Sequence, residues 1–105
     1  MASAHIKCKR GLNLHAVKAP LYDSGHWDFS PEEAAQLVGG TIYLHNTKAE
    51  RSYFGGTVLS YEIVDVPEKA HSQRIVFRIH SMVEAKNKEW QGANHVRAWT
   101  SGILP

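Results

Sequence analysis

Two Gly-Gly pairs, at positions 39–40 and 55–56, constrain the fold most, because each precedes a run rich in β-branched and aromatic residues. The first run, residues 41–46, alternates aliphatic with aromatic or polar side chains, and the second, residues 57–66, does so over a greater length. A charged connector joins the two runs. The pattern predicts a central hairpin, in which the second glycine pair permits a bulge or a sharp bend.

Residues 30–33 (Ser-Pro-Glu-Glu) are the clearest helix signal in the chain. Ser30 is a favourable N-cap, Pro31 suits the first helical position, and Glu33 completes a capping box. The first glycine pair can supply a left-handed C-cap. These features predict a helix of about two turns, which packing must stabilise because so short a helix is marginal alone.

Alternating patterns predict further strands at residues 12–17 and 74–83, and a last short strand at residues 94–100. In the longer of these strands, Ile75, Phe77 and Ile79 are predicted to face the core, with Arg78 and His80 on the other face. The remaining segments are predicted as a frayed N-terminal tail with at most one edge strand (1–10), an aromatic loop after Pro20 (21–29) and a C-terminal tail (101–105).

The order of these elements, one strand, one helix and then several strands, lacks the βαβ alternation of a parallel sheet. We therefore expect an α+β protein: a small, mainly antiparallel curled sheet or barrel with one short helix. A chain of 105 residues without repeats or linkers predicts a single domain, residues 1–105.

The composition narrows the classes of partner. A net charge of +2 permits an anionic partner such as a nucleic acid without requiring one. The single cysteine, Cys8, excludes an internal disulfide framework and favours a reducing compartment, where we expect it to be an inert packed residue. The absence of an apolar leader and of any apolar run near ~20 residues predicts a cytoplasmic protein without a membrane partner.

The histidines lack the spacing of a zinc motif, so no metal ligand is predicted, and no cofactor or catalytic residue is assigned. His15, His45 and His80 lie in predicted strands and would converge if those strands were neighbours. Ordinary exposed or hydrogen-bonded strand histidines are the favoured interpretation.

Aromatic and basic side chains give the stronger indication of a ligand. Trp27 is flanked by His26 and Asp28, which could hydrogen-bond a base stacked on the indole, and Trp90 and Trp99 also lie in or beside predicted loops. Basic residues follow the same segments, as in nucleic-acid surfaces. The simpler alternative is that the large aromatics plug the ends of the sheet and that the charges form an ordinary solvated face.

Several stretches resemble the PUA-like superfamily, nearest to EVE and ASCH domains: N-L-H-A-V-K-A-P, the loop with Trp27, G-G-T-I-Y-L-H-N and F-G-G-T-V-L-S-Y-E. The resemblance covers residues 12–66. It implies a pocket between the first strand, the aromatic loop and the central hairpin, and ligands such as RNA, modified DNA bases or nucleotides; one ASCH branch hydrolyses a modified nucleoside. The acid that often follows the glycine before the central strand is absent here, at Gly40-Thr41, and Thr47, Lys48 and Glu50 are merely adjacent in a loop.

The residues and the resemblance together predict a small binding domain that recognises a nucleobase, nucleotide or nucleic acid in an aromatic-lined cleft. The predicted partner is thus a nucleic acid or nucleotide. The predicted ligand-binding residues are Asn13, His15, His26, Trp27, Tyr43, His45, Asn46, Lys48, Arg51, Tyr53, Arg97 and Trp99. Two alternatives stay open: a hydrolase of a modified nucleoside or amide with a histidine or Lys48 as general base, and an accessory protein of mobile-gene type. The latter would bind a small ligand or protein partner, as a homodimer through an exposed strand edge.

Overall fold

The computed structural model describes residues 2–9, 14–67, 73–92 and 97–105, which form one six-stranded sheet with one α-helix. The elements are β1 (Ser3–Lys7), β2 (Leu14–Lys18), β3 (Leu21–Trp27), α1 (Pro31–Leu37), β4 (Thr41–His45), β5 (Phe54–Asp65), β6 (Gln73–Ser81) and a 3-10 turn (Val83–Ala85).

The strand order across the sheet is β1-β4-β5-β6-β3-β2. The pairing of β1 with β4 is parallel, and the other pairings are antiparallel. This mixed sheet with one helix confirms the α+β prediction. The sheet is open rather than closed into a barrel.

Helix α1 begins as its sequence predicts. The Ser30 hydroxyl accepts a hydrogen bond from the Glu33 backbone N–H at 3.2 Å, and the Glu33 carboxylate accepts one from the Ser30 N–H at 3.0 Å. Gly39, with φ of 85°, follows the helix in the left-handed conformation that glycine adopts without steric cost. Both ends of α1 are therefore encoded within about ten residues of sequence.

One face of the sheet packs under α1 and forms the core. The core-facing residues predicted for β4 and β6 are confirmed. All of them are buried: Ile42, Leu44, Ile75, Phe77 and Ile79. The remaining buried members of the core are Ala4, Ile6, Cys8, Phe29, Ala34, Leu37 and Val58.

The edge strand allowed at the N-terminus is present as β1, the first strand in the sheet order, whereas the predictions of a frayed N-terminal tail and of a C-terminal tail are wrong for the described residues. Ala4 and Ile6 of β1 are fully buried, and the segment 99–104 runs along the outer edge of β1. Ser3 and Leu104 exchange backbone hydrogen bonds of 2.9 and 2.7 Å. Alternation over residues 3–7 is the local signal at the N-terminal end, while the order of the C-terminal segment comes from its pairing with β1, which itself pairs with β4.

The aromatic segment predicted as a loop is strand β3. It lies between β2 and β6, so both of its backbone edges find partners, and Ser24 sits opposite Phe77 on the core face. Neighbouring strands therefore override the turn-forming Asp-Ser-Gly composition. The start of the strand predicted at residue 12 lies outside the described residues, as do residues 94–96 of the predicted last strand; residues 97–99 form a turn instead, and Thr100 makes an isolated bridge.

The glycines at positions 55 and 56 do not form the predicted bulge. They lie in the regular part of β5, and the shift in register falls between Val58 and Ser60. Their smallness serves close packing: a Cβ on Gly55 would lie 2.4 Å from the carbonyl oxygen of Ile42, and one on Gly56 would lie 2.3 Å from that of His80. No helix among the described residues has the length and apolar character that crossing a membrane requires.

Candidate ligand-binding site

The second face of the sheet carries a polar and aromatic group where β1 and β4 run side by side. Because strand residues alternate between faces, His5 projects opposite Ala4 and Ile6, and Tyr43 and His45 project opposite the core residues of β4. The parallel register places His5 beside Tyr43. Their rings stack with centroids 4.6 Å apart and planes inclined by 18°.

Residues 82–92 cover this group and are held to the sheet by Ser52. The buried Ser52 hydroxyl donates to the carbonyl oxygen of Ala85 at 2.6 Å and accepts from the backbone N–H of Lys88 at 3.0 Å. At the beginning of the segment, the Met82 N–H donates to the carbonyl oxygen of Gly55 at 3.1 Å. These bonds place Trp90 over the two histidines, with ring centroids 5.0 Å from His45 and 5.7 Å from His5.

His5 and His45 form a hydrogen-bonded pair, hereafter the histidine pair. Nδ1 of His5 lies 2.8 Å from Nε2 of His45, and Nδ1 of His45 lies 2.9 Å from the carbonyl oxygen of Glu50. His5 is 2% exposed and His45 is 0% exposed. The pair therefore adds side-chain bonds that join β1 to β4 and β4 to the backbone of the loop that follows it.

Burial keeps both imidazoles neutral. Desolvation, and secondarily the charge that His45 would carry, lower the pKa of His5 from 6.5 to about 4. Desolvation also lowers the pKa of His45, although the bond to the Glu50 carbonyl works in the opposite direction. At neutral pH the site thus contains two uncharged rings with fixed hydrogen-bonding roles.

The C-terminal segment fixes the backbone of His5. The His5 N–H donates to the Ser101 hydroxyl at 2.9 Å, and the His5 carbonyl oxygen accepts from the Thr100 hydroxyl at 3.0 Å and from the Ser101 N–H at 2.9 Å. Both partner residues are buried. This segment, predicted as a tail, therefore positions a residue of the site.

Two small clefts adjoin Trp90, and we call them the Lys48 cleft and the His5 cleft. The Lys48 cleft has a volume of about 260 Å³ and is lined by Lys48, Ala49, Glu50, Arg51, Glu89 and Trp90. The His5 cleft has a volume of about 170 Å³ and is lined by Ser3, His5, Tyr43, Lys88, Glu89 and Gln91. Trp90 thus lines the first cleft, His5 and Tyr43 line the second, and Glu89 lines both.

Both clefts carry acidic and basic side chains, since Glu89 lines both and Glu50 lines the Lys48 cleft, and the two lysines differ from Arg51 in their pairing. Arg51 is paired with Glu89 at 3.1 Å between Nη2 and Oε1, whereas Lys48 and Lys88 have no acidic partner within 4.0 Å among the described residues. The Lys48 ammonium lies 5.3 Å from the centroid of the Trp90 ring, within the range of a cation–π contact. The indole N–H of Trp90 is covered and has no acceptor among the described residues.

A second pair of clefts lies on the open part of the same sheet face. They have volumes of about 290 and 350 Å³ and share Asp23, Glu62 and Val76. His15 and His26 line the larger one. The Arg78 guanidinium makes two hydrogen bonds to the Asp23 carboxylate, of 2.7 and 3.1 Å, and this holds the pKa of that carboxyl below its usual range. Arg78, the cation of these two clefts, is consequently already paired with Asp23.

A larger cleft of about 470 Å³ lies beside the start of α1, where Phe29 and Arg97 form part of the lining. Arg97 pairs with the Glu33 carboxylate there and lowers its pKa. The Arg97 guanidinium also lies 5.4 Å from the ring centroid of Phe29 and 5.8 Å from that of Trp99. These contacts tie helix α1 to the C-terminal segment.

The structure divides the predicted ligand-binding residues among several places. His45, Lys48 and Arg51 lie around Trp90, Tyr43 stacks on His5 in the neighbouring His5 cleft, and Asn46 is next in the chain after β4. The others lie elsewhere: His15 and His26 in the open sheet-face cleft, Trp27, Trp99 and Arg97 near the start of α1, Tyr53 bonded to the carbonyl oxygen of Cys8, and Asn13 outside the described residues.

The predicted set lacked His5, Lys88 and Trp90. The alternating sequence of residues 3–7 is the signal that could have placed His5 on a strand face. His15, His45 and His80 do not gather, since His45 bonds to His5 while β2 and β4 lie far apart in the strand order. Among the described residues, no three His, Cys, Asp or Glu side chains come together in a way that could hold a metal ion.

Cys8 is packed, as the sequence predicts. It is 1% exposed, and burial raises the pKa of its thiol, which disfavours the reactive thiolate.

Comparisons of this chain with protein-family models, with curated proteins and with solved structures found no match.

Proposed function

We propose that the protein binds a nucleotide or nucleic acid through the two clefts that adjoin Trp90. The observation that carries this proposal is the position of Lys48 and Lys88, two ammonium groups without acidic partners among the described residues, at clefts that contain Trp90 and Tyr43. A nucleotide offers the complementary chemistry, because its phosphate is anionic and its base is a flat ring that stacks on aromatic side chains.

The proposal retains the ligand class that the resemblance to PUA-like domains implies and moves the site away from Trp27. We favour the Lys48 and His5 clefts over the open sheet-face clefts because Arg78, the cation of the sheet-face clefts, is already bonded to Asp23. We also favour them over the cleft at α1, because Arg97 is paired with Glu33 there.

A salt-dependent binding assay tests the proposal. Fluorescein-labelled single-stranded DNA and RNA oligonucleotides, with and without modified bases, would be titrated with protein at two salt concentrations and followed by fluorescence anisotropy. A protein carrying both Lys48→Ala and Lys88→Ala should bind more weakly and show a salt slope smaller by about one to two. Lys18→Ala, which removes an exposed lysine on β2, is the matched control.

Two outcomes would count against the function. No anisotropy change at high protein concentration would remove nucleic acid from consideration, and a Lys18→Ala effect equal to that of the double variant would show that binding is not located at the Trp90 clefts. Trp90→Phe tests the role of the indole N–H by itself, since the substitution removes this group and preserves an aromatic face.

A further inference from the structure

The hydrogen bonds of the histidine pair determine which ring nitrogens of His5 and His45 carry a proton. A carbonyl oxygen can only accept, so the contact with Glu50 requires a proton on Nδ1 of His45. Since His45 is neutral, its Nε2 must then carry a lone pair. The 2.8 Å contact consequently requires a proton on Nδ1 of His5 and leaves a lone pair on Nε2 of His5.

Nε2 of His5 is the one nitrogen of the pair that is left for a ligand. It has no hydrogen-bond partner among the described residues. It is also not fully covered, because Trp90 Nε1 is the one side-chain polar atom of the described residues that is both covered and without a partner. His5 lines the His5 cleft, although the whole residue is only 2% exposed. The cleft therefore presents a recessed hydrogen-bond acceptor.

The fixed proton positions distinguish this nitrogen from that of an ordinary exposed histidine. An isolated neutral imidazole can move its proton to the other nitrogen and become a donor there. Here that change would leave two lone pairs facing each other between His5 and His45. The low pKa of His5 also prevents it from becoming a donor by protonation near neutral pH.

We propose that His5 selects a base with an amino group at the purine 6 or pyrimidine 4 position, adenine or cytosine, over the counterpart with a keto oxygen at that position. This inference rests on the proposed nucleotide-binding function. An amino group projects beyond the ring and can donate into a recess, whereas a keto oxygen at the same position would meet the lone pair of Nε2. The ring N–H of uracil is flanked by two carbonyl oxygens and that of hypoxanthine by one, so neither reaches a recessed acceptor as well.

Matched nucleotides test this selection. CMP and UMP differ at one exocyclic position and share the phosphate, and AMP and IMP form a second such pair. Titrations followed by tryptophan fluorescence should give about tenfold tighter binding of the amino member in each pair. His5→Phe, which keeps a ring next to Tyr43, should reduce the ratio to near one, while His26→Phe, in the open sheet-face cleft, should leave it unchanged.

A measurement on the unsubstituted protein keeps the inference testable if His5→Phe does not fold. Long-range proton–nitrogen correlation spectra of nitrogen-15-labelled protein identify the protonated nitrogen of each histidine. We expect Nδ1–H for both His5 and His45, and an Nε2 shift of His5 that moves with CMP and not with UMP. This separates a direct contact from a merely structural role.

The outcomes separate the two proposals. Equal affinity within both nucleotide pairs, or a proton on Nε2 of His5 in the free protein, would overturn the selection by His5 and leave the binding function intact. Failure of all four nucleotides and of the oligonucleotides to bind would overturn the proposed function itself.

Discussion

Trp27 stacks on Trp99, with ring centroids 5.7 Å apart and ring planes inclined by 13°. The Trp27 indole N–H donates to the Ser24 hydroxyl at 3.1 Å, and both rings pack against the core. The stack joins β3 to the C-terminal segment. The stack covers one face of Trp27, the residue that the sequence favours for stacking on a base.

Trp27→Ala should therefore act mainly on stability. We expect the free energy of unfolding to fall by about 2–3 kcal/mol, below the full cost of a buried tryptophan because Trp27 is partly exposed. Urea denaturation followed by circular dichroism measures this, with the exposed neighbour His26→Ala as control. Unchanged stability together with lost oligonucleotide binding would instead assign Trp27 to the ligand.

Ser52→Ala should loosen the segment that covers the histidine pair. The substitution removes the acceptor of the Lys88 N–H and the donor to the Ala85 carbonyl, both at a buried position, so we expect a loss of about 1–3 kcal/mol. Hydrogen exchange should become faster at the Lys88 amide. Ser60→Ala, on an exposed position of β5, is the control; equal protection of Lys88 in all three proteins would contradict the role of Ser52.

Stability should decrease on mild acidification because of His5. Its pKa is about 4 in the folded protein against 6.5 in an unfolded chain, so the unfolded state binds more protons between these values. The contribution of His5 is complete above pH ~6.5 and is lost progressively toward pH ~4, up to ~3 kcal/mol. Urea denaturation at pH 7 and pH 5 measures it.

His5→Phe provides the comparison for this pH dependence, since it removes the contribution of His5; burial also lowers the pKa of His45, so part of the acid sensitivity should persist in this variant. The carboxyls of Asp23 and Glu33 have lowered pKa values, so their contributions are lost at more acidic pH than that of His5. A parent protein with the same change in stability from pH 7 to pH 5 as His5→Phe would contradict the assignment.

Gly56→Ala should be among the most damaging small substitutions. The new Cβ would lie 2.3 Å from the carbonyl oxygen of His80, a backbone atom that cannot rotate away, so we expect a loss of about 3 kcal/mol or more. Gly39→Ala is the contrast, because a Cβ there meets nothing within 4 Å and the cost is that of the positive φ alone, about 1–2 kcal/mol. Thermal unfolding of both variants measures the difference, and equal melting temperatures would refute the steric argument.

Helix α1 and the inward faces of β4 and β6 could be predicted from sequence because their determinants are local. A capping box spans Ser30 to Glu33, and strand alternation repeats every two residues. β3 could not be predicted in this way. Its turn-forming residues are overridden by β2 and β6, and β6 lies about fifty residues further along the chain.

The candidate site shows the same division. The sequence alone determined that Tyr43 and His45 lie on the strand face opposite Ile42 and Leu44, since a strand must alternate. The tertiary structure decided that His5 meets His45, 40 positions further along the chain, and that Trp90 covers both. The parallel pairing of β1 with β4 and the bonds of Ser52 to residues 85 and 88 bring them together, and no pattern of neighbouring residues encodes contacts over such separations.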